Sequence, residues 1–292
     1  MELGELALAP GTRRRYKSCV ATFCKVTGPL SEVAATLEGQ VQDFVLWAWE
    51  QDKSHSWVTG HLAAVSHHVK LGGLADPTRS FPIRAALKGW ARGEDKKRDN
   101  RAPIDFRILQ ALIDCVPSAA YSDHEASLFK AAFCLAFFGA FRISELVASS
   151  KTDGSLRALC LRDVNMHGGI LSITLRKSKT DQMGRGREIV LRPLDPPAYC
   201  PVTLTASYLL LRPHGDGYLL LHADNSPLTK HQFGSVLKRV LMLSGNNGRK
   251  YSTHSFRIGA ASAAHAVGLP AESIKRLGRW DSNCYKRYIR PD

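Results

Sequence analysis

The residues best equipped for chemistry lie in four short stretches: GAFRISELVA, LRKSKTDQMGRGRE, THSFRIGAASAA and the closing RWDSNCYKRYIRPD. In the first, Arg142 and Glu145 stand three apart in an apolar helical pattern and can pair on one face. Burying an arginine is costly unless a carboxylate or an anionic ligand meets it. The second reads as a basic hairpin carrying Lys177, Lys179, Arg185 and Arg187. In the third, His254 and Arg257 are again three apart, near a helix start where backbone N–H groups attract anions. The fourth holds Tyr285 and Tyr288, nearly one helical turn apart, and spacing alone does not choose between them.

Taken singly, each stretch has an ordinary structural explanation: an ion pair, a solvated basic turn, a satisfied histidine, two amphipathic aromatics. Together they suit one job, transfer at a phosphodiester. Guanidiniums donate bidentately to nonbridging oxygens as charge develops there. A histidine can move a proton, a lysine can protonate a leaving oxygen, and a tyrosine can be the nucleophile. A free phenol ionises only near pH ~10, so it needs cations around it. There is no acidic cage for a metal, and GRGRE lacks the strand–loop–helix context of a nucleotide site. Neither metal nor cofactor is expected.

These residues need a scaffold. The 292 residues suffice for one large domain or two ordinary ones, and 44% hydrophobic content is that of a folded protein. A formal charge of +14 favours a polyanionic partner, nucleic acid first and an acidic membrane surface second. No apolar run approaches the roughly 20 residues that span a bilayer, and the N-terminus does not read as a secretory signal. Seven scattered cysteines without zinc-site spacing fit reduced thiols in a cytosolic or nuclear protein, several of them, such as Cys134, as core packing.

The first hundred residues read as four helices. TRRRYKSCVATFCKVTG has Thr12 at the cap and Tyr16, Val20, Phe23 and Cys24 on one face. EGQVQDFVLWAWEQD, SWVTGHLAAVSHHVKLGG and DPTRSFPIRAALKGWARG follow. EDKKRDNRAP is charged and poor in apolar residues, so it reads as an exposed linker that divides the chain into 1–98 and 99–292. PIDFRILQALIDCV comes next, then HEASLFKAAFCLAFFGAFRISELVAS, apolar nearly all round and read as one central buried helix. ALCLRDVNM, GGILSITLRKS and REIVLRPL read as a small antiparallel sheet, and helices return to the end. The expected class is mainly α with a small antiparallel β-sheet.

In their order, the arginine of FRISEL, a hairpin lysine, H-x-x-R, the tryptophan of LGRW and a final tyrosine, the chain resembles the tyrosine recombinase (integrase) superfamily over nearly its whole length. The wording of HSFRIGAAS, LGRW, RYIR, RAPID and RKSKTDQ is most similar to the recombinases of DIRS- and Ngaro-type eukaryotic retrotransposons. The resemblance implies a helical, SAM-like core-binding domain over 1–98 and a catalytic domain over 99–292. It implies that Arg142 and Arg257 clamp the scissile phosphate and that His254 bonds to it and acts as general base. By the same resemblance Lys179 would protonate the departing 5′ oxygen, with Lys177, two residues away in the same hairpin, as its rival. It further implies that Trp280 would donate to the phosphate or pack on the nucleophile's helix, that Glu145 would orient the cations, and that Tyr288 would attack to leave a 3′-phosphotyrosyl link. Lys96, Lys97, Arg98, Lys177, Arg185 and Arg187 are the implied DNA-backbone contacts.

The same resemblance implies double-stranded DNA as partner, a homotetramer on two DNA sites, a monomer or dimer without DNA, and work in the nucleus. Two further functions use the same residues or fold: type IB topoisomerase-like nicking and closing, and DNA binding without catalysis. The sequence departs from the family in two places. Trp280 and Tyr288 are eight apart where many relatives have nine, and only Ile289, Arg290, Pro291 and Asp292 follow Tyr288, where several relatives carry a docking helix.

Overall fold

The computed structural model describes residues 4, 7–94, 99–176 and 186–290. The chain forms two compact units, 1–98 and 99–292.

The first unit is built from α1 (Pro10–Thr27), α2 (Ala34–Glu50), α3 (His55–Leu71) and α4 (Phe81–Gly93). Helix α1 begins at Pro10, whose missing N–H costs nothing in a first turn, so Thr12 lies inside the helix and does not cap it. Ser54 caps α3 by accepting the Trp57 N–H at 3.2 Å. Phe23, Val41, Phe44, Val58, Leu62 and Val65 form the core, with the Phe44 and Trp57 rings stacked 5.9 Å apart. On α4, Ile83 and Trp90 point inward, while Arg84, Lys88 and Arg92 recur every four residues on the exposed side.

The second unit holds α5 (Phe106–Ala119), α6 (Asp123–Phe138), the single turn α7 (Ile143–Leu146) and strands β1 (Val164–His167), β2 (Ile170–Leu175) and β3 (Arg187–Leu191). It continues with α8 (Pro201–Leu211), α9 (Lys230–Leu243), α10 (Ser255–Ala266), α11 (Ala271–Gly278) and a 3₁₀ turn, Asn283–Tyr288. The class is as expected, mainly helical with, among the described residues, one antiparallel sheet in the order β1-β2-β3. Gly168 and Gly169, with φ of 56° and 76°, make the two-residue turn that pairs His167 with Ile170. Leu171, Ile173 and Leu175 then all face the core.

Helix α6 is buried along most of its length. Its Phe133 ring lies 5.2 Å from Phe233 of α9 and 5.4 Å from Phe256 of α10, which fixes α10 against the centre of the unit. The stretch from His124 to Ser149 is not the single helix expected from its pattern: it stops at Gly139, and Ala140 takes φ of +43°. A Cβ on Gly139 would sit 2.2 Å from the Phe141 ring, so glycine lets that ring fold back over the helix end. The break frees the Gly139 and Ala140 carbonyls from any helical partner, and the arginines Arg257 and Arg279 take them instead.

All seven cysteines are free, and Cys134 is fully buried. Among the described residues no helix is long and apolar enough to cross a membrane.

Candidate active site

Four segments of the second unit converge. The turn after α6 brings Arg142 and Glu145, the start of α10 brings His254 and Arg257, the end of α11 brings Arg279 and Trp280, and the 3₁₀ turn brings Tyr288. Because the helix breaks at Gly139, Arg142 precedes α7 instead of lying within a helix. Its backbone N–H and its guanidinium both donate to the Glu145 carboxylate, at 2.9 and 2.8 Å. Glu145 is 3% exposed and also receives Arg279 Nη2 at 3.0 Å. One buried carboxylate therefore holds two cations, the arrangement that makes a buried charge tolerable.

Arg257 is wholly buried. Its Nη1 donates to the Ala140 carbonyl at 2.6 Å and its Nη2 to the Gly278 carbonyl. The guanidinium carbon lies 4.3 Å from the centre of the Trp280 ring and 5.5 Å from that of Tyr288. Burial, and after it the nearby Arg142 and Arg279, hold its pKa below the ordinary arginine value. Gly278 is required where it stands, since a Cβ there would meet the Trp280 ring at 1.9 Å.

Trp280 is 4% exposed, and its Nε1–H has no hydrogen-bond partner among the described residues. A buried donor without a partner is costly and marks a place where a ligand oxygen is welcome. The Tyr288 ring lies 4.9 Å from Trp280 and 5.9 Å from the half-buried His254 ring. Burial foremost, then Arg101, Arg257 and Arg142, lower the His254 pKa, against an opposing pull from Asp99. The imidazole is therefore neutral at pH 7 and able to accept a proton.

The two tyrosines separate in this setting. Tyr285 is buried in a cluster with Ile274 and Trp280, whereas Tyr288 is half-buried and faces the histidine and arginine. Of the hairpin cations, Arg187 lies on β3, exposed, with its Nη2 2.8 Å from Asp281 Oδ1 beside Trp280. Lys177, Lys179 and Arg185, like Lys96, Lys97 and Arg98, lie outside the described residues.

Sequence reasoning missed three contributors. Arg279 stood in plain view in LGRW, next to the tryptophan, yet its role depends on a left-handed backbone (φ +56°) and on carbonyls freed 140 residues earlier. Asp99 and Arg101 fell in a stretch read as linker, although both face His254 electrostatically. Among the described residues no group of His, Cys, Asp or Glu is arranged to hold a metal ion.

No family model matches the chain. An integrase/recombinase xerD homolog from Selenomonas ruminantium is 27% identical over 252 residues, spanning 82% of this chain and 69% of that relative. Lambda integrase, solved as a dimer bound to a COC′ core site, superposes with a TM-score of 0.63 at 13% identity, covering 97% of this chain and 72% of that one. XerH site-specific recombinase in a post-cleavage complex gives 0.62 at 13% identity, over 94% and 75%. This is the tyrosine recombinase fold. The Tn1549 transposon integrase in complex with circular intermediate DNA shares it as well, with a TM-score of 0.61 at 13% identity over 98% and 91% of the two chains. The sequence kinship with the xerD homolog supports the same superfamily.

Proposed function

We propose that this chain is a site-specific DNA recombinase that cuts and rejoins strands through a 3′-phosphotyrosyl link to Tyr288, in the service of a mobile element's integration. The observation that carries the reading is the meeting of His254, Arg257, Trp280 and Tyr288, from three separate segments, around one buried cationic centre.

The Tyr288 hydroxyl attacks the scissile phosphorus and passes its proton toward the neutral His254. Arg142 and Arg257 stabilise charge on the nonbridging oxygens, and the Trp280 indole N–H donates to one of them. The bond to the 5′ oxygen breaks, and that oxygen takes a proton from Lys179. A 5′ hydroxyl of a second strand then reverses the steps. Bond energy is kept in the phosphotyrosyl link, so no nucleotide is consumed, and the arginines supply the charge that a metal supplies elsewhere. The xerD kinship supports recombination as the function, and the motif wording supports an origin in a DIRS- or Ngaro-type element acting in the nucleus. Double-stranded DNA is the partner in this reading, with four subunits acting on two sites.

The test is a pool of nicked duplexes with randomised cores, from which the short 5′ fragment diffuses away after cleavage. A protein–DNA adduct stable to denaturation is expected, lost in Tyr288→Phe, kept in Tyr285→Phe and indifferent to a chelator. An adduct that survives Tyr288→Phe but not Tyr285→Phe overturns the nucleophile, and none from the wild type overturns the enzyme.

A further inference from the structure

Asp99 opens the second unit, and its carboxylate holds two arginines. Arg101 donates to it three times, from Nε at 2.7 Å, Nη2 at 2.9 Å and its backbone N–H at 3.3 Å. Arg290, two residues past Tyr288, donates from Nη2 at 3.0 Å and also reaches the Asp99 carbonyl at 3.4 Å. Hydrogen bonding from Arg101 keeps the carboxyl pKa at about 2, so the group is ionised at every working pH.

Both ends of this contact are anchored. The strap that follows Asp99 lies against the start of α10: the Ala102 N–H donates to the Lys250 carbonyl at 2.8 Å and the Ile104 N–H to the Ser255 carbonyl at 3.0 Å. On the tyrosine side, the Arg290 N–H donates to Ser262 Oγ at 2.9 Å, and Ser262 Oγ donates to the Tyr288 carbonyl at 3.3 Å. A 3₁₀ turn of six residues has weak internal hydrogen bonding, so contacts from outside decide where it sits.

We infer that Asp99 is a positioning residue for the nucleophile: through Arg290 it latches the segment bearing Tyr288 to the strap, and so sets how often that ring is presented to His254 and Arg257. The inference rests on Tyr288 being the nucleophile. A simpler role is distinguishable by sign. If Asp99 only offset positive charge beside DNA, removing it would strengthen binding and leave cleavage as fast or faster. A latch predicts slower cleavage even where binding is as tight or tighter.

The experiment uses the full chain with Asp99→Ala, Asp99→Glu, Arg290→Ala and the Asp99→Ala/Arg290→Ala pair. Adduct formation is followed in a single turnover at saturating trapping duplex, and DNA affinity is measured in the Tyr288→Phe background. Hydrogen exchange is read over 283–290. Each alanine variant is expected to cleave about tenfold more slowly without weaker binding, since small misplacement of a reacting group is expensive in rate. The double variant should be no slower than either single one, Asp99→Glu should recover part of the loss, and exchange over 283–290 should quicken. A wild-type rate in Asp99→Ala, or losses that multiply in the double variant, overturns the latch. If the wild type forms no adduct at all, the nucleophile reading fails on its own account, and unchanged exchange over 283–290 overturns the latch independently.

Discussion

The Ala140 carbonyl receives two guanidiniums, Arg257 Nη1 at 2.6 Å and Arg279 Nη2 at 2.9 Å. Like charges this close repel, and the local design answers that in two ways. Glu145 neutralises one unit of charge between Arg142 and Arg279, and each buried guanidinium lies against an aromatic face, Trp280 under Arg257 and Phe141 under Arg279. The surplus of positive charge that remains suits an incoming phosphate and works against protonation of the neighbouring His254. The second-order rate of adduct formation at low DNA concentration reports ionisation in the free protein. The acid limb of that rate, where the imidazole protonates, should be centred below the ordinary histidine value of about 6.5. The limb should vanish, with the rate much reduced, in His254→Gln. A limb centred at or above about 6.5 would contradict the lowered pKa of His254.

Glycine-dependent packing decides how the elements bring these residues together. Gly259 of α10 lets the strap cross directly over the helix, since a Cβ there would stand 1.7 Å from the Ile104 carbonyl oxygen. Gly259→Ala is therefore expected to destabilise the protein by about 1–3 kcal/mol, the usual cost of overpacking. Gly234 offers the contrast, in the interior of α9 with its nearest neighbour, Thr253 Cγ2, 4.0 Å from the built Cβ. Gly234→Ala should stabilise by up to about 1 kcal/mol through helix propensity alone. Urea midpoints of the two variants check both signs. The same elements show what was legible beforehand. The helix start near His254 and the small antiparallel sheet were both legible, the sheet from the alternation of its strands. The break at Gly139 did not, because GAF continues a helical pattern and only the returning Phe141 ring ends it. Arg279 stayed hidden for a related reason: its left-handed backbone is stabilised by carbonyls that exist only once that break has formed.

At the scale of the whole chain, a charge of +14 is the dominant fact about its encounters. Binding that rests on phosphate contacts weakens steeply with salt, on the order of a thousandfold between about 50 and 200 mM when six or more phosphates are engaged. The exposed Arg84, Lys88 and Arg92 of α4 are candidates for part of that binding surface. Replacing all three by glutamine should lower the slope of log affinity against log salt by about one for each phosphate no longer neutralised. Affinity that does not change with salt would contradict phosphate-led binding. Composition and motif order made the broad function legible, since they pointed to nucleic acid and to a recombinase-like set of residues. The latch at Asp99 was not legible, because it joins residues 191 positions apart that carry no periodic signal.

Of the five tryptophans, Trp47, Trp49, Trp57 and Trp90 belong to the first unit, and Trp280 alone belongs to the second. That single indole touches Arg257 and lies 4.9 Å from the Tyr288 ring. With the other four replaced by phenylalanine, its emission becomes a built-in optical gauge of the reactive corner. Movement of the phenol toward or away from it changes energy transfer and quenching directly, so the position of Tyr288 can be timed without any attached dye.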